Sequence, residues 1–191
     1  MHKFFVGFNS TASEDAHEYL TEPRAPRNYG EKAAAEFVSK AKEGQLEKCA
    51  LSPVVGQVTG LCVKDEHSRI LLEASSTDKV SVSEQFSRWA SSLPGGIVML
   101  LGVGIFDLTR IMAIERLRQG DPPLPQWVWR GGSSNSHLCD PYSVLLDAED
   151  RKLVSLPCLL RYLGAKEFDD VYSPSWLAEA AVFLAEKTKL F

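Results

Sequence analysis

The spacing of hydrophobic and polar residues along the chain predicts a mixed α/β domain. Residues 3–9 are rich in aromatic and β-branched side chains and predict a first strand. Residues 54–64 and 69–74 are two further apolar runs on either side of a polar turn, and they predict an antiparallel hairpin. Residues 97–101 are apolar on both faces, which is typical of a buried parallel strand.

Helical patterns separate and follow these strands. Residues 31–47 are rich in Ala and Lys and predict a surface helix that ends near Cys49. Capping boxes at residues 11–14 and 81–84 each predict the start of a helix. The last third of the chain is predicted to be helical, with helices at residues 142–148, 153–163 and 175–187.

The segment from residue 97 to residue 120 carries the most informative chemical signal. Its buried strand runs through the turn Gly102-Val103-Gly104 into Phe106-Asp107-Leu108, and Asp107 is predicted to cap the helix that follows. The turn lacks the third glycine and the lysine of dinucleotide-binding and phosphate-binding loops, so it indicates close packing of the backbone. Asp107 is therefore interpreted either as a helix cap or as a metal ligand.

Composition narrows the class of protein. A chain of 191 residues that is 45% hydrophobic can bury one full core, so residues 1–191 are predicted to form a single domain. The net charge of −4 argues against a surface that binds nucleic acid over its whole area. The four cysteines form no CxxC pair, which favours buried free thiols in a reducing compartment.

The sequence predicts neither a signal peptide nor a membrane span. The apolar run after Lys3 is too short for a signal peptide, and no stretch approaches the roughly 20 apolar residues of a membrane span. The chain is therefore predicted to be a soluble cytoplasmic protein that does not associate with a membrane.

The strand, turn and Phe106-Asp107-Leu108 resemble the second motif of the DEDD 3'-5' exonucleases, in particular the predicted exonucleases related to the proofreading domain of family B DNA polymerases. Further segments are similar, in the same order, to phage and bacterial members of that group: residues 25–29, residues 46–58, His137-Leu138-Cys139-Asp140 and residues 156–164. The resemblance implies a ribonuclease H-like fold. Such a fold has a mixed sheet, with three antiparallel strands and then parallel strands, flanked by helices, and a helical C-terminal third.

The resemblance also implies a site with four carboxylates. Hard oxygen ligands of this kind hold two divalent cations, about 3.5–4 Å apart, that activate water and stabilise the leaving oxygen. The Asp-x-Glu of the first motif falls on Phe8-Asn9-Ser10, and the aspartate of the third motif falls near Ala181. Of the four carboxylates only Asp107 is left, as a vestigial catalytic and metal-binding residue.

Other side chains offer partial substitutes for the lost carboxylates. Glu14, Asp15 and Glu179 lie close in sequence to the vacated positions and would have to rebuild a displaced metal site. The last helix has no histidine or tyrosine to orient water. Asp140 precedes Pro141 and is interpreted as a turn or cap residue.

Three functions are compatible with this pattern. The preferred hypothesis is a catalytically inactive exonuclease-like protein, of phage or prophage origin in one interpretation, that acts as a binding or regulatory module for a protein partner and needs no cofactor. The second is an active exonuclease that uses Mg²⁺ or Mn²⁺ with relocated ligands. The third is an accessory protein that binds single-stranded nucleic acid. Candidate binding residues for a nucleic acid or protein partner are Arg110, Trp127, Trp129 and Arg130.

Two structural features distinguish these hypotheses. Three or more carboxylates within reach of one point around Asp107 would favour the active enzyme. A nucleic-acid groove would gather the basic residues on one face, namely Arg110, Arg130, Arg151, Lys152, Lys187 and Lys189.

Overall fold

A computed structural model describes residues 2–14, 16–93, 98–129, 138–165 and 171–189. Strands in these residues form one mixed sheet: β1 (His2–Ala12), β2 (Gly56–Lys64), β3 (Ile70–Ser75), β4 (Val98–Leu101) and β5 (Leu138–Cys139). The strand order is β3-β2-β1-β4-β5. β1, β2 and β3 pair antiparallel, whereas β1, β4 and β5 pair parallel.

This arrangement confirms the predicted fold class. Three antiparallel strands come first, and the parallel strand β4 then pairs with β1 in the same sheet, so the layout is consistent with a ribonuclease H-like domain. The helices of the described residues are α1 (Ala16–Tyr19), α2 (Glu31–Cys49), α3 (Val82–Ser91), α4 (Ile105–Gln119), α5 (Gln126–Trp129), α6 (Pro141–Leu145), α7 (Asp150–Leu153), α8 (Leu156–Tyr162) and α9 (Pro174–Thr188).

Alternate side chains of β1 pack on opposite faces of the sheet, because successive residues of a strand point in opposite directions. Val6 and Phe8 belong to the main core, together with apolar side chains of α3 and α4. Phe5 belongs to a separate cluster with residues of α9. The backbone of α9 lies directly on β1, since a Cβ atom at Gly7 would overlap the carbonyl oxygen of Pro174.

Several local predictions are confirmed. Ser81 caps α3 by accepting the backbone N–H of Glu84 at 3.2 Å, as the capping box predicts. The turn of the β2–β3 hairpin is closed by Asp65, whose Oδ1 accepts the N–H groups of His67 and Arg69. Gly120 ends α4 with a φ of 73°. None of the helices in the described residues is long and apolar enough to cross a bilayer.

Other local predictions are wrong. β1 continues to Ala12 because its last residues still pair with β2, so residues 11–14 do not start a helix. The predicted helix at residues 153–163 is divided into α7 and α8, because Ser155 is the N-cap of a new helix and Pro157 stands at its start. The helix predicted at residues 142–148 ends at Leu145. Residue 97 and residues 130–136 lie outside the described residues.

Candidate functional site

The turn between β4 and α4 lies against β1. A Cβ atom at Gly102 would lie 2.4 Å from the carbonyl oxygen of Val6, so only glycine allows the two backbones to approach this closely. At Gly104, where φ is 73°, a Cβ atom would lie 3.3 Å from the ring of Phe8. The glycines therefore serve close backbone packing, as predicted, and they fix the start of α4 beside β1.

Asp107 lies in the first turn of α4 but does not cap it. The helix begins at Ile105, and its N-cap is Gly104. The carbonyl oxygen of Gly104 accepts the N–H groups of Asp107 at 2.9 Å and Leu108 at 3.1 Å. The predicted N-cap role of Asp107 is therefore wrong, because the left-handed conformation of Gly104 starts the helix three residues earlier than an N-cap at Asp107 would.

The carboxyl group of Asp107 is half-buried and, among the described residues, no donor reaches it. Burial has the largest effect on the pKa of this group and raises it above the ordinary value. The charges of Arg110 and Arg151 lower the pKa, and the carboxylate of Asp140 raises it. Half-buried carboxyl groups with perturbed pKa values are found preferentially at functional sites. Asp107 therefore remains the central residue of the candidate site.

The carboxylate of Asp140 acts on Asp107 by raising its pKa. The two oxygens of Asp140, however, already accept hydrogen bonds from other groups. Oδ1 accepts the N–H groups of Tyr142 and Ser143, at 3.0 and 3.2 Å. Oδ2 accepts the N–H of Gly104 at 3.0 Å and the hydroxyl of Ser143 at 2.8 Å. A carboxylate has about four acceptor positions, so Asp140 has little capacity left for a metal ion. The prediction that it is a cap residue is confirmed.

The first-motif positions of β1 hold no carboxylate in either register. Phe8 is buried in the main core beneath α4, and Ser10 is half-exposed. The neighbouring residues, Gly7 and Asn9, face the opposite side of the sheet. There Gly7 touches α9, and the amide nitrogen of Asn9, in the orientation that satisfies its neighbours, donates to the carbonyl oxygen of Tyr172 at 2.9 Å. A shift of one residue therefore does not restore the Asp-x-Glu.

The residue at the position of the third motif is also surrounded by apolar side chains. Ala181 is fully buried beside Phe5 and Leu101. Glu179, the candidate substitute for that aspartate, forms an ion pair with the buried Nζ of Lys64. Lys64 lies on β2, where it pairs with Phe5 of β1, so this carboxylate is bound by a cation of the sheet.

The described residues therefore do not fit a two-metal centre. No three of their His, Cys, Asp or Glu side chains come together in a way that could hold a metal ion. Glu14 is exposed beyond the end of β1, and Asp15 lies outside the described residues. Two carboxylates remain, those of Asp107 and Asp140, and that of Asp140 already accepts four hydrogen bonds.

Of the basic residues named as candidates, two that the structure describes lie at the candidate site. Arg110 and Arg151 both act on Asp107. Arg151 also donates to Ser143 Oγ at 2.8 Å and lies over the ring of Tyr142. Lys187 lies over the ring of Phe183 near the end of α9.

Two other described candidates have contacts of their own. Lys152 pairs with the exposed Glu149, and the indole of Trp127 is partly buried against the main core. Arg130 and the side chain of Trp129 lie outside the described residues.

No family model, curated protein or solved structure matches the chain. The resemblance to DEDD exonucleases therefore rests on the motifs themselves and on the order of the strands. Sequence patterns alone missed the contacts of Asn9, Tyr142 and Arg151 around the candidate site. The pair Asp140-Pro141 did signal a helix start, but no local pattern indicates that the same carboxylate also holds Gly104.

Proposed function

We propose that the protein is a catalytically inactive 3'-5' exonuclease-like protein that acts in the cytoplasm as a binding or regulatory module. The observation that carries this proposal is the loss of the metal-ligand set around Asp107. Phe8 and Ala181 are buried apolar residues where the resemblance places carboxylates, and Asp140 is bound to four donors. Asp107 alone does not provide the ligands that two-metal phosphoryl transfer requires.

A protein partner is favoured over a nucleic acid by the character of the surface. Of the named basic residues that the structure describes, Arg110 and Arg151 act on Asp107, and the net charge of the chain is −4. The helices next to the candidate site expose large apolar side chains, among them Val144, Leu153 and Tyr162 at 55%, 84% and 88%. Exposed apolar groups of this size are more typical of surfaces that bind protein than of surfaces that follow a phosphate backbone.

The test of inactivity is direct. Labelled single-stranded DNA and RNA, incubated with the protein and Mg²⁺ or Mn²⁺, are expected to keep their 3' ends. Asp147→Ala serves as the control, since Asp147 is an exposed acidic residue that occupies none of the metal-ligand positions and whose carboxylate accepts two backbone N–H groups. Shortening that disappears in Asp107→Ala but persists in Asp147→Ala would establish the alternative, an active enzyme with relocated ligands.

Metal binding gives an independent measurement. A cation bound only by the folded state raises the free energy of unfolding by about 2.7 kcal/mol at one hundred times its dissociation constant. We expect the same melting temperature in EDTA and in millimolar Mg²⁺ or Mn²⁺. A rise of several degrees that Asp107→Asn abolishes would contradict the proposal.

The nucleic-acid-binding alternative has its own test. Fluorescence anisotropy of labelled oligo(dT) and oligo(U) at low salt is expected to show no binding that depends on Arg110 or Arg151. If Arg151→Ala weakened a measurable affinity and lowered its salt dependence, the protein would instead be a single-strand-binding accessory.

A further inference from the structure

One side of β1 has a neighbouring strand along only part of its length. On its other side β1 pairs with β2 as far as Ala12. β4 pairs with β1 only at His2–Phe5, and the turn that follows β4 still lies against Val6 and Phe8. From Ser10 onward, no strand of the described residues lies on this side. Residues Ser10 to Ala12 therefore form an open edge of the sheet.

Ser10 and Ala12 direct their backbone N–H and C=O groups toward the open edge. In an antiparallel pair these groups point alternately toward the partner strand and away from it. Ser13 donates its N–H to the carbonyl oxygen of Val55, just before β2, at 2.7 Å. By alternation the groups of Thr11 also point toward β2, and those of Ser10 and Ala12 point away. In the described part of the chain, the groups that point away have no hydrogen-bond partner.

A hollow of about 580 Å³ lies along the open edge. Residues from Ser10 to Glu14 line one wall, and Leu46, Glu47 and Ala50 line the other. Consecutive residues of a strand face opposite sides of the sheet, so a hollow that several of them line follows the edge of the strand rather than one face. None of its described lining residues belongs to β2. The hollow is therefore on the side to which the unpaired backbone groups point.

From these observations we infer that the open edge of β1 binds an extended segment of a partner protein as an added strand. The segment lies beside the second half of β1 as β4 lies beside the first half, so it continues an existing pairing of the sheet. Its backbone forms hydrogen bonds with Ser10 and Ala12, and an apolar side chain of the segment packs on Leu46 and Ala50. Strand addition of this kind derives affinity from main-chain hydrogen bonds and specificity from alternate side chains.

The unpaired groups favour an extended main chain over other occupants. A helix forms its backbone hydrogen bonds internally, so it has no row of N–H and C=O groups to offer to Ser10 and Ala12. A second copy of the chain has the same edge flanked by its own α2, whereas a flexible segment enters the hollow without bringing a helix with it. The inference goes beyond the proposed function, because the open edge does not include Asp107 and does not depend on whether that site is inactive.

The first measurement uses the whole protein and a defined peptide. The probe is a short labelled peptide of alternating Thr and Val residues with a Lys at each end. The control peptide has the same side chains but N-methyl groups on its backbone, so it cannot donate main-chain hydrogen bonds. We expect the unmodified peptide to bind at least about tenfold more tightly in fluorescence anisotropy, since several hydrogen bonds are lost in the control.

Amide hydrogen exchange, measured for each residue by NMR, locates the added strand. Without peptide, the N–H groups of Ser10 and Ala12 should exchange faster than that of Thr11, which β2 holds. Saturating peptide should slow exchange at Ser10 and Ala12 at least about tenfold. The amides of β3, the strand at the end of the sheet order, are the matched control and should not change.

Variants of the protein test the two walls of the hollow separately. Ala12→Pro removes an N–H that points away from β2 and is expected to weaken peptide binding about tenfold, since proline is tolerated where that N–H faces outward. Leu46→Ser should weaken binding several-fold. Leu117→Ser is the control, because Leu117 is exposed on α4, and we expect no change. If Ala12→Pro failed to fold in circular dichroism, Leu46→Ser and the exchange data would still test the inference.

Four outcomes would overturn the inference. One is equal binding of the N-methylated peptide. Another is slow exchange of the Ser10 and Ala12 amides before any peptide is added, or exchange that the peptide leaves unchanged. A third is an affinity that Leu46→Ser does not alter. The last comes from sedimentation equilibrium: if the protein is a dimer that Ala12→Pro dissociates, a second copy of the chain occupies the open edge.

Discussion

The carboxylate of Asp140 accepts the backbone N–H of Gly104 at 3.0 Å, across 36 positions of the chain. Gly104 is the N-cap of α4, and Asp140 is the N-cap of α6. One carboxylate thus connects the beginnings of two helices that flank the candidate site. Because the same group also holds Tyr142 and Ser143, its role is to join elements of the fold, which explains why an aspartate so close to Asp107 does not create a metal site.

The first prediction concerns the energy of this connection. Asp140→Ala is expected to lower the free energy of unfolding by at least about 2 kcal/mol, since it removes a helix cap and leaves buried donors without an acceptor. Asp147→Ala is the matched control. Asp147 also accepts two backbone N–H groups, but it lies at the surface, so we expect a loss of about 1 kcal/mol or less. Equal losses in urea denaturation would contradict the proposed role of Asp140.

The elements that sequence patterns predict well are those fixed by local chemistry. Ser81 caps α3 with a side chain three residues from the N–H that it accepts, and Gly120 ends α4 with a backbone conformation that glycine adopts readily. The hairpin turn likewise depends on Asp65 and its immediate neighbours. The sheet order follows because the apolar strand β4 can be buried only beside another buried strand.

Features set by distant residues could not be predicted in the same way. β1 extends to Ala12 because β2 provides partners for its last residues, and α4 starts early because the turn at Gly104 packs on Phe8. At the candidate site, the sequence correctly directed attention to Asp107. It could not indicate that Asp140 and Arg151 act on that residue, since both come from segments more than thirty positions away.

The second prediction concerns the first-motif positions. Phe8→Ala is expected to lower the free energy of unfolding by about 3–5 kcal/mol, because it leaves a cavity in the core beside Gly104. Phe8→Asp should be at least as damaging, since it also buries a charge without a partner. Ser10→Asp, at a half-exposed position of the same strand, should cost less than about 1 kcal/mol. Tolerance of Asp at residue 8 in chemical denaturation would show that the position is not a core position.

The third prediction concerns the buried guanidinium of Arg116, which joins α4 to α3. Its Nη1 donates to Glu84 at 3.0 Å, and its Nε donates to the carbonyl oxygen of Pro122 at 2.6 Å. Arg116→Met should lower the free energy of unfolding by at least about 2 kcal/mol, because charge-assisted hydrogen bonds are lost within a buried site. The control is Arg88→Met, which removes an exposed partner of the same Glu84 and should cost about 0.5 kcal/mol or less. A similar loss of free energy of unfolding in both variants would mean that burial does not strengthen the interactions of Arg116.

The last prediction concerns the pH dependence that Asp107 gives to stability. Burial raises the pKa of its carboxyl group in the folded protein, so the folded state binds a proton more tightly than the unfolded state does. Stability from this group is therefore highest below the unfolded pKa and falls as the pH rises through the interval up to the folded pKa.

Asp107→Asn removes this titration while keeping the size of the side chain. We expect the variant to gain stability relative to the natural protein as the pH rises through that interval, and the difference to become constant above it. Urea denaturation of both proteins between pH 3 and pH 8 measures this difference in the free energy of unfolding. Other groups that titrate equally in the two proteins do not contribute to the difference. The carboxyl groups of Asp78 and Glu84, whose pKa values are lowered by hydrogen bonds, cancel in this way. If the variant instead lost stability as the pH rose, a favourable partner of the ionised carboxylate would have to exist, and the picture of Asp107 as a desolvated carboxyl group without a donor would be wrong.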